Sequence, residues 1–389
     1  MAAYRPRHAE ATLRELLAWY PVIAITGPRQ SGKTTLARRF SDKPYVNLEA
    51  PDQREYASAD PRGFLARFPD GAVLDEVQNV PALFSYLQTV VDEGAQPGSF
   101  ILTGSQQFGL RDGIAQSLAG RVGLLELLPF SLGEIPAGKS SLDEVLCRGA
   151  YPRVVAGGVP ADVWLADYVN TYLERDVRRL LNVRNLSSFQ RFLRMCAGRS
   201  GQLLNLSALA ADCGITHNTA REWLSVLEAS YVVRLLPPYH RNFGKRLVKT
   251  PKLYFLDTGL ATWLMAIGNP PALSVSIFRG PLFETLVVTE VLKARLNRRQ
   301  SANLYFWRDS NGHEIDLLIE AGDTLLPLEC KAGETVAADW FPPLERFRQS
   351  AALDRSWIVH GGEAGQTRSH CEVIGWRQLP QLADELSRR

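Results

Sequence analysis

The sequence predicts an α/β fold assembled from three successive units, and three observations carry that prediction. Apolar bursts alternate with helical stretches over residues 21–179, the pattern of a parallel sheet covered by helices. Residues 206–254 run helix, turn, helix, ribbon. Residues 255–389 run helix, three strands and helix, a separate small α/β unit. The expected units are 1–185, 186–254 and 255–389, since 389 residues exceed what one hydrophobic core organises.

Composition narrows the class. With 46% hydrophobic and 22% charged residues the chain has neither the polarity of disorder nor the apolarity of a membrane protein. A net charge of +3 gives no whole-molecule positive field, so any nucleic-acid surface must be a local patch. The five cysteines are scattered and lack the paired spacing of a zinc or redox site, which points to a reducing, cytoplasmic setting. Residues 1–20 mix Arg5, Arg7, Glu10, Arg14 and Glu15 with leucines, an amphipathic helix rather than a signal peptide. No apolar run approaches the roughly 20 residues of a membrane-spanning helix, so no membrane partner is expected.

In the first unit, strands are expected at 22–26, 45–48, 72–74, 100–103 and 122–127, with helices at 34–40 and 81–92. Between the first strand and the first of these helices lie Gly27, Pro28, Arg29, Gln30, Ser31, Gly32, Lys33 and Thr34, which satisfy G-x-x-x-x-G-K-[ST]; Thr35 continues into the helix. The context is that of a P-loop NTPase domain. Glycines let the backbone curl around phosphate oxygens, Lys33 balances β- and γ-phosphate charge, and the Thr34 hydroxyl ligates Mg²⁺. The strand at 72–74 runs into Asp75, which would hold the metal through water, and Glu76, which would polarise the attacking water. After the strand at 100–103, Ser105, Gln106 and Gln107 either sense the γ-phosphate or cap a turn. Arg121 is either a surface arginine or a finger reaching a phosphate in its own or a neighbouring subunit.

These segments, Gly27 to Leu36, Leu74-Asp75-Glu76-Val77-Gln78, Leu102-Thr103-Gly104-Ser105 and Leu118-Ala119-Gly120-Arg121, together resemble a prokaryotic AAA-type P-loop ATPase family over nearly the whole chain. The resemblance implies a C-terminal domain of uncharacterised function with a restriction-endonuclease-like core. The residues that match that part are Tyr254-Phe255-Leu256-Asp257-Thr258-Gly259-Leu260, Phe283-Glu284, Phe306-Trp307-Arg308-Asp309 and Glu329-Cys330-Lys331-Ala332.

Read from the residues alone, 314–319 and 325–331 are adjacent strands joined by a turn at Ala321-Gly322-Asp323. Glu329 and Lys331 are two apart and share a face, and Asp316 lies beside them on the first strand. Two carboxylates and an amine so placed form the D…E-x-K arrangement of Mg²⁺-dependent phosphodiester cleavage, with Asp316 and Glu329 as metal ligands and Lys331 acting on water. Glu284, on the expected helix at 282–296, completes the cluster. The same residues also suit a charged strand edge whose ions pair with one another.

Residues 161–199 are helical in period and basic, with Arg175, Arg178, Arg179, Arg184, Arg191, Arg194 and Arg199. Two short helices then flank Cys213-Gly214-Ile215-Thr216, and paired strands are expected around Asn242-Phe243-Gly244, the order of a winged helix. Ala220, Trp223, Leu224 and Leu227 form the apolar stripe, leaving His217, Asn218, Arg221 and Ser225 outward to read base edges. Lys245, Arg246, Lys249 and Lys252 sit where a wing contacts phosphates, while Glu222 and Glu228 on the same helix argue for packing instead. His313 reads as a strand-end polar residue.

The expectation is an ATP- and Mg²⁺-dependent ATPase that couples nucleotide state to nucleic acid, DNA before RNA, with a nuclease-like domain and a homo-oligomeric assembly in view. The alternative is an ATP-driven switch that binds a partner protein and carries an inactive nuclease-like domain.

Overall fold

The computed structural model describes residues 4–105, 113–114, 116–136, 138–173, 186–239 and 249–388. The expected positions Gln106, Gln107, Arg175, Arg178, Arg179, Arg184, Asn242, Phe243, Gly244, Lys245 and Arg246 lie outside these residues.

Strands β1 (Val22–Thr26), β2 (Tyr45–Asn47), β3 (Ala72–Asp75), β4 (Phe100–Gly104) and β5 (Val122–Glu126) form a parallel sheet in the order β2-β3-β4-β1-β5. Strand β1, all five residues buried, lies between β4 and β5. Because side chains alternate along a strand, Val22 and Ala24 face one apolar layer while Ile23 and Ile25 face another. The first layer is closed by Leu83, Phe84 and Leu87 of the helix Leu83–Asp92 and by Phe64 of the helix Pro61–Ala66. The second is closed by Leu13 and Leu16 of the helix Glu10–Trp19 and Leu36 of the helix Lys33–Arg39. A sheet buried on both faces reads as continuous apolar runs, as these strands do.

The second core begins where the first stops. Leu127 packs with the parallel sheet, but Leu128 already belongs to a second, larger cluster that reaches to Leu386, beside a smaller one built on Trp307, Ile315, Leu318, Phe347 and Ile358. The helices Leu142–Arg148 and Ala161–Asp167 therefore pack with later parts of the chain, although the sequence grouped them with the nucleotide unit. The helix Leu186–Ala197 leads to β6 (Gln202–Leu203), the helices Leu206–Cys213 and His217–Ala229, β7 (Val233–Leu236) and β8 (Lys252–Phe255). These three strands form an antiparallel sheet with β8 in the middle. Caps set the turn between the two helices: Asn205 and Thr216 accept the Ala208 and Thr219 amides, and Gly214 adopts φ +65°.

The third part holds β9 (Leu304–Arg308), β10 (Glu314–Ala321), β11 (Thr324–Lys331), β12 (Ser356–His360), β13 (Gln366–Thr367) and β14 (Cys371–Gly375), ordered β13-β14-β12-β11-β10-β9. Strand β12 runs parallel to β11 and β14, and β10 runs antiparallel to both its neighbours. The helix Arg279–Leu296 packs on this sheet through Leu282, Phe283, Leu286 and Val287. Among the described residues no helix is long and apolar enough to cross a membrane.

Candidate functional site

Strand β1 ends in the loop from Gly27 to Gly32 at the C-terminal edge of the parallel sheet, where α/β folds bind ligands. Gly27 has φ +143°, and a Cβ there would stand 2.1 Å from the Leu127 carbonyl oxygen, so only glycine fits. Gly32 closes the loop at φ +96° and caps the helix that begins with Lys33. Lys33 is buried, and its ammonium donates to the carbonyls of Gly27 (3.0 Å) and Pro28 (2.7 Å). Burial pushes this lysine down to about 8, against the pull of Glu76 and Asp75. The Ser31 hydroxyl is buried and has no hydrogen-bond partner among the described residues, an orphan donor in a loop shaped for oxyanions.

Thr34 donates to both oxygens of Asp75 at 3.1 Å, which Tyr45 (2.7 Å) and Thr103 also bond. Hydroxyl and carboxylate together are the hard oxygen donors Mg²⁺ takes, so the residues fit that ion. Glu76 follows with φ +54° and accepts from Gln78 and from Ser105 (3.0 Å), tying the end of β4 to the end of β3. Arg29, Gln30, Gly32, Lys33, Thr34, Thr35, Asp75 and Glu76 line one cleft of about 470 Å³, and Arg29 pairs with Glu49 at 3.2 Å.

The structure does not bring Arg121 to this cleft. It precedes β5 at the opposite end of the sheet, a strand length of about 16 Å away, and pairs with Asp92 at 2.6 Å. Reach into its own subunit's site is thereby removed.

The cleft also holds residues the sequence did not single out: Tyr4, Arg5, Arg7, Phe130, Pro152 and Arg153. Arg7 is buried, donates to the carbonyls of Ser31 (2.8 Å) and Leu128 (2.6 Å), and pairs with Glu134 at 3.1 Å. It therefore fixes the loop from behind. The only signal in the sequence is Tyr4-Arg5-Pro6-Arg7, two arginines around a proline just ahead of a helix.

Glu284, Asp316, Glu329 and Lys331 do converge. Leu317 opposite Leu328 sets Asp316 beside Glu329, and a bulge between Ile315 and Leu318 turns β10 there. Asp316 accepts the Cys330 amide at 2.9 Å, and Lys331 stands 3.9 Å from Glu329. Burial and the neighbouring Asp316 carboxylate hold Glu329 well above the usual carboxylate range. Burial works the other way on Asp316, but the hydrogen bond with Glu329 and the charges of Lys252 and Lys331 keep it below its ordinary value. Burial and Asp316 push Glu284 up to about 7.

One residue corrects the sequence reading. Lys252, expected on a wing against phosphates, is 2% exposed and its ammonium sits among the carboxylates of Glu284 (2.7 Å), Glu314 and Asp316 (3.9 Å). Tyr254, two residues on and so on the same face of β8, also donates to Glu284. With a lysine in its middle, the cluster does not fit a divalent metal in this conformation, and among the described residues no three acidic, histidine or cysteine side chains form a metal cage. Trp223 lies in the core between Phe189 and Phe192, edge-on at 5.3 and 5.4 Å, and His217, Asn218, Arg221, Ser225 and Lys249 are exposed. His313 bonds Asp309 at 3.0 Å in the turn between β9 and β10.

Comparison with known proteins finds three family models along the chain. Residues 20–136 match the AAA domain, 139–271 a domain of unknown function (DUF8612) and 279–379 a domain of unknown function (DUF4143). The uncharacterized proteins Rv2008c of Mycobacterium tuberculosis and Mb2031c of Mycobacterium bovis are each 34% identical over 365 residues, covering 92% of this chain and 80% of theirs. Among solved structures, the Walker-type ATPase PABY2304 of Pyrococcus abyssi is 17% identical, with a TM-score of 0.46, over 67% of this chain and 99% of that one.

Proposed function

This chain belongs to the family represented by the mycobacterial proteins Rv2008c and Mb2031c, with an AAA domain ahead of a DUF4143 domain, and from that premise we propose that it hydrolyses ATP to govern a nucleic-acid-binding, nuclease-like C-terminal part. The observation that carries ATP hydrolysis is the loop from Gly27 to Thr34, with Lys33, Thr34 and Asp75 lining one cleft and the orphan Ser31 hydroxyl buried in the loop. Lys33 exchanges its bonds to loop carbonyls for the β- and γ-phosphates, which restore the charge that burial has disfavoured. Thr34 directly and Asp75 through water would hold Mg²⁺, which would supply charge neutralisation for the transferring phosphoryl group. Glu76, held by Gln78 and Ser105, orients the attacking water and takes its proton. Arg121 serves the site of a neighbouring copy in a homo-oligomer.

The helices Leu206–Cys213 and His217–Ala229 with β6, β7 and β8 support a winged helix, whose outward His217, Asn218, Arg221 and Ser225 face DNA. Released phosphate from the purified protein with ATP and Mg²⁺ tests the first half. Turnover retained in Lys33→Ala or Glu76→Gln sinks it.

A second reading has its own observation. Lys252 neutralises the carboxylates that a nuclease would offer to metal, which favours a nucleotide-driven switch that holds a partner protein. The two part on salt: DNA affinity that falls steeply with ionic strength supports the first, and flat or absent binding supports the second.

A further inference from the structure

We propose that Arg153, a residue outside the AAA domain, is a phosphate-binding arm of the nucleotide cleft, so that the triphosphate is held by the first core and the second together. The inference rests on the ATP-binding reading of the loop from Gly27 to Thr34 and adds a residue to that same site.

The cleft is not made by the AAA domain alone. That domain matches residues 20–136, yet Arg5 ahead of it and Pro152, Arg153 and Gly157 behind it line the cleft together with Lys33 and Thr34. Arg153 sits on the short helix Pro152–Val155, whose place is set by the second core. Tyr151 and Val154 on either side of it are buried there, Tyr151 against the rings of Trp164 (4.8 Å) and Tyr168 (5.0 Å). One residue before Tyr151, the Ala150 carbonyl accepts at 3.0 Å the amide of Phe130, which also lines the cleft, and the Ala150 amide donates to the buried Asp257 at 2.7 Å. The helix is thus tied to the cleft in the structure as it stands, and only the arginine side chain has to adjust.

What marks Arg153 among the cations of the cleft is that it is uncommitted. Arg7 pairs with Glu134 at 3.1 Å, Arg29 pairs with Glu49 at 3.2 Å, and Lys33 bonds two loop carbonyls. Arg153 is exposed and has no hydrogen bond or ion pair among the described residues. Arg5 is likewise unpaired among them and has a like charge near it. Burial, aided by Arg5 and opposed by Glu144, pushes the Arg148 guanidinium down, and Arg148 Nε is buried with no hydrogen-bond partner among the described residues. Positive charge without a protein counter-ion, in a cleft that also holds a loop shaped for oxyanions, calls for an anion. A guanidinium suits that task because its fork meets two phosphate oxygens at once.

The test is binding of ATPγS with Mg²⁺ to the full-length protein, followed by calorimetry. Arg153→Gln removes the charge and keeps most of the length. It is expected to weaken binding about tenfold, by a margin that shrinks as salt screens the contact, and Arg153→Lys should restore only part of the loss. Urea unfolding of the nucleotide-free Arg153→Gln protein should match wild type, which separates a lost contact from a damaged fold. Arg62→Gln, at an exposed arginine outside the cleft, controls for net charge and should bind as wild type does. Wild-type affinity in Arg153→Gln, with binding lost in Lys33→Ala, overturns the arm and leaves the ATP reading standing; so does an equal loss in Arg62→Gln. No nucleotide binding by the wild-type protein overturns both.

Discussion

Lys33 shows how a single buried charge makes a site pH-sensitive. The folded protein releases its proton near 8 and the unfolded chain near 10.5, so the unfolded state binds more protons between these values. The lysine's burden on stability is therefore full below 8 and relieved as pH rises through that window. Triphosphate binding runs the opposite way, because it needs the charge. Affinity is expected to be level below about pH 8 and to weaken above it by up to about tenfold per pH unit. At pH 9 binding should take up close to one proton, seen as heats that vary with the buffer's ionisation enthalpy; affinity that stays level to pH 9.5 rules this out. The two loop glycines separate a clash from a strain. Gly27→Ala drives a Cβ into the Leu127 carbonyl and is expected to cost about 3 kcal/mol or more in urea unfolding. Gly32→Ala meets only Arg7 Nη1 at 3.6 Å and should cost about 1–2 kcal/mol for its left-handed backbone. The loop residues were legible because they are contiguous in sequence. Arg7 and Lys252 were not, since the partners that define them, Ser31 and Glu134 for one and Glu284 and Glu314 for the other, lie far along the chain.

At the scale of the element, the helix His217–Ala229 separates a packing face from an open one. Trp223→Ala empties the space between Phe189 and Phe192 and is expected to cost about 3–5 kcal/mol. Arg221→Ala on the open face should change stability by less than about 0.5 kcal/mol. If that face meets DNA, the same change lowers the slope of log affinity against log salt by about one; an unchanged slope removes Arg221 from the interface. This helix and its predecessor were readable because their ends are written in local residues, Asn205, Gly214 and Thr216. The strands β12 and β14 were not picked out. A three-residue apolar run such as Trp357–Val359 does not by itself distinguish strand from buried helix, and its parallel pairing with β11 is a long-range choice.

For the whole molecule, the decisive contacts are those on the segment where the chain passes from the first core to the second. On the helix Arg279–Leu296, Glu290 and Lys293 pair at 2.8 Å with both side chains buried. Glu290 also accepts the Leu132 amide (2.7 Å), and Lys293 donates to the Phe130 carbonyl (2.9 Å). Arg7 bonds the Leu128 carbonyl and pairs with Glu134, which accepts the Ser131 amide, so the same short segment is held from the nucleotide side as well. Lys293→Met leaves Glu290 buried and unpaired and is expected to cost about 3–5 kcal/mol, with faster hydrogen exchange at the Leu132 amide. A cost under about 0.5 kcal/mol would mean that this seam carries no load. The sequence-based divisions after residues 185 and 254 follow composition and element order. The packing follows this seam instead, since Leu128 already belongs to the second core.

The segment from 128 to 134 thereby sets a rule for how such chains can be shuffled. A hybrid that grafted the C-terminal part onto a foreign P-loop module would inherit Glu290 and Lys293 without the amide and carbonyl that satisfy them. The joint between the two cores is also their passport: an exchange has to carry residues 128–134 along to keep Glu290 and Lys293 satisfied.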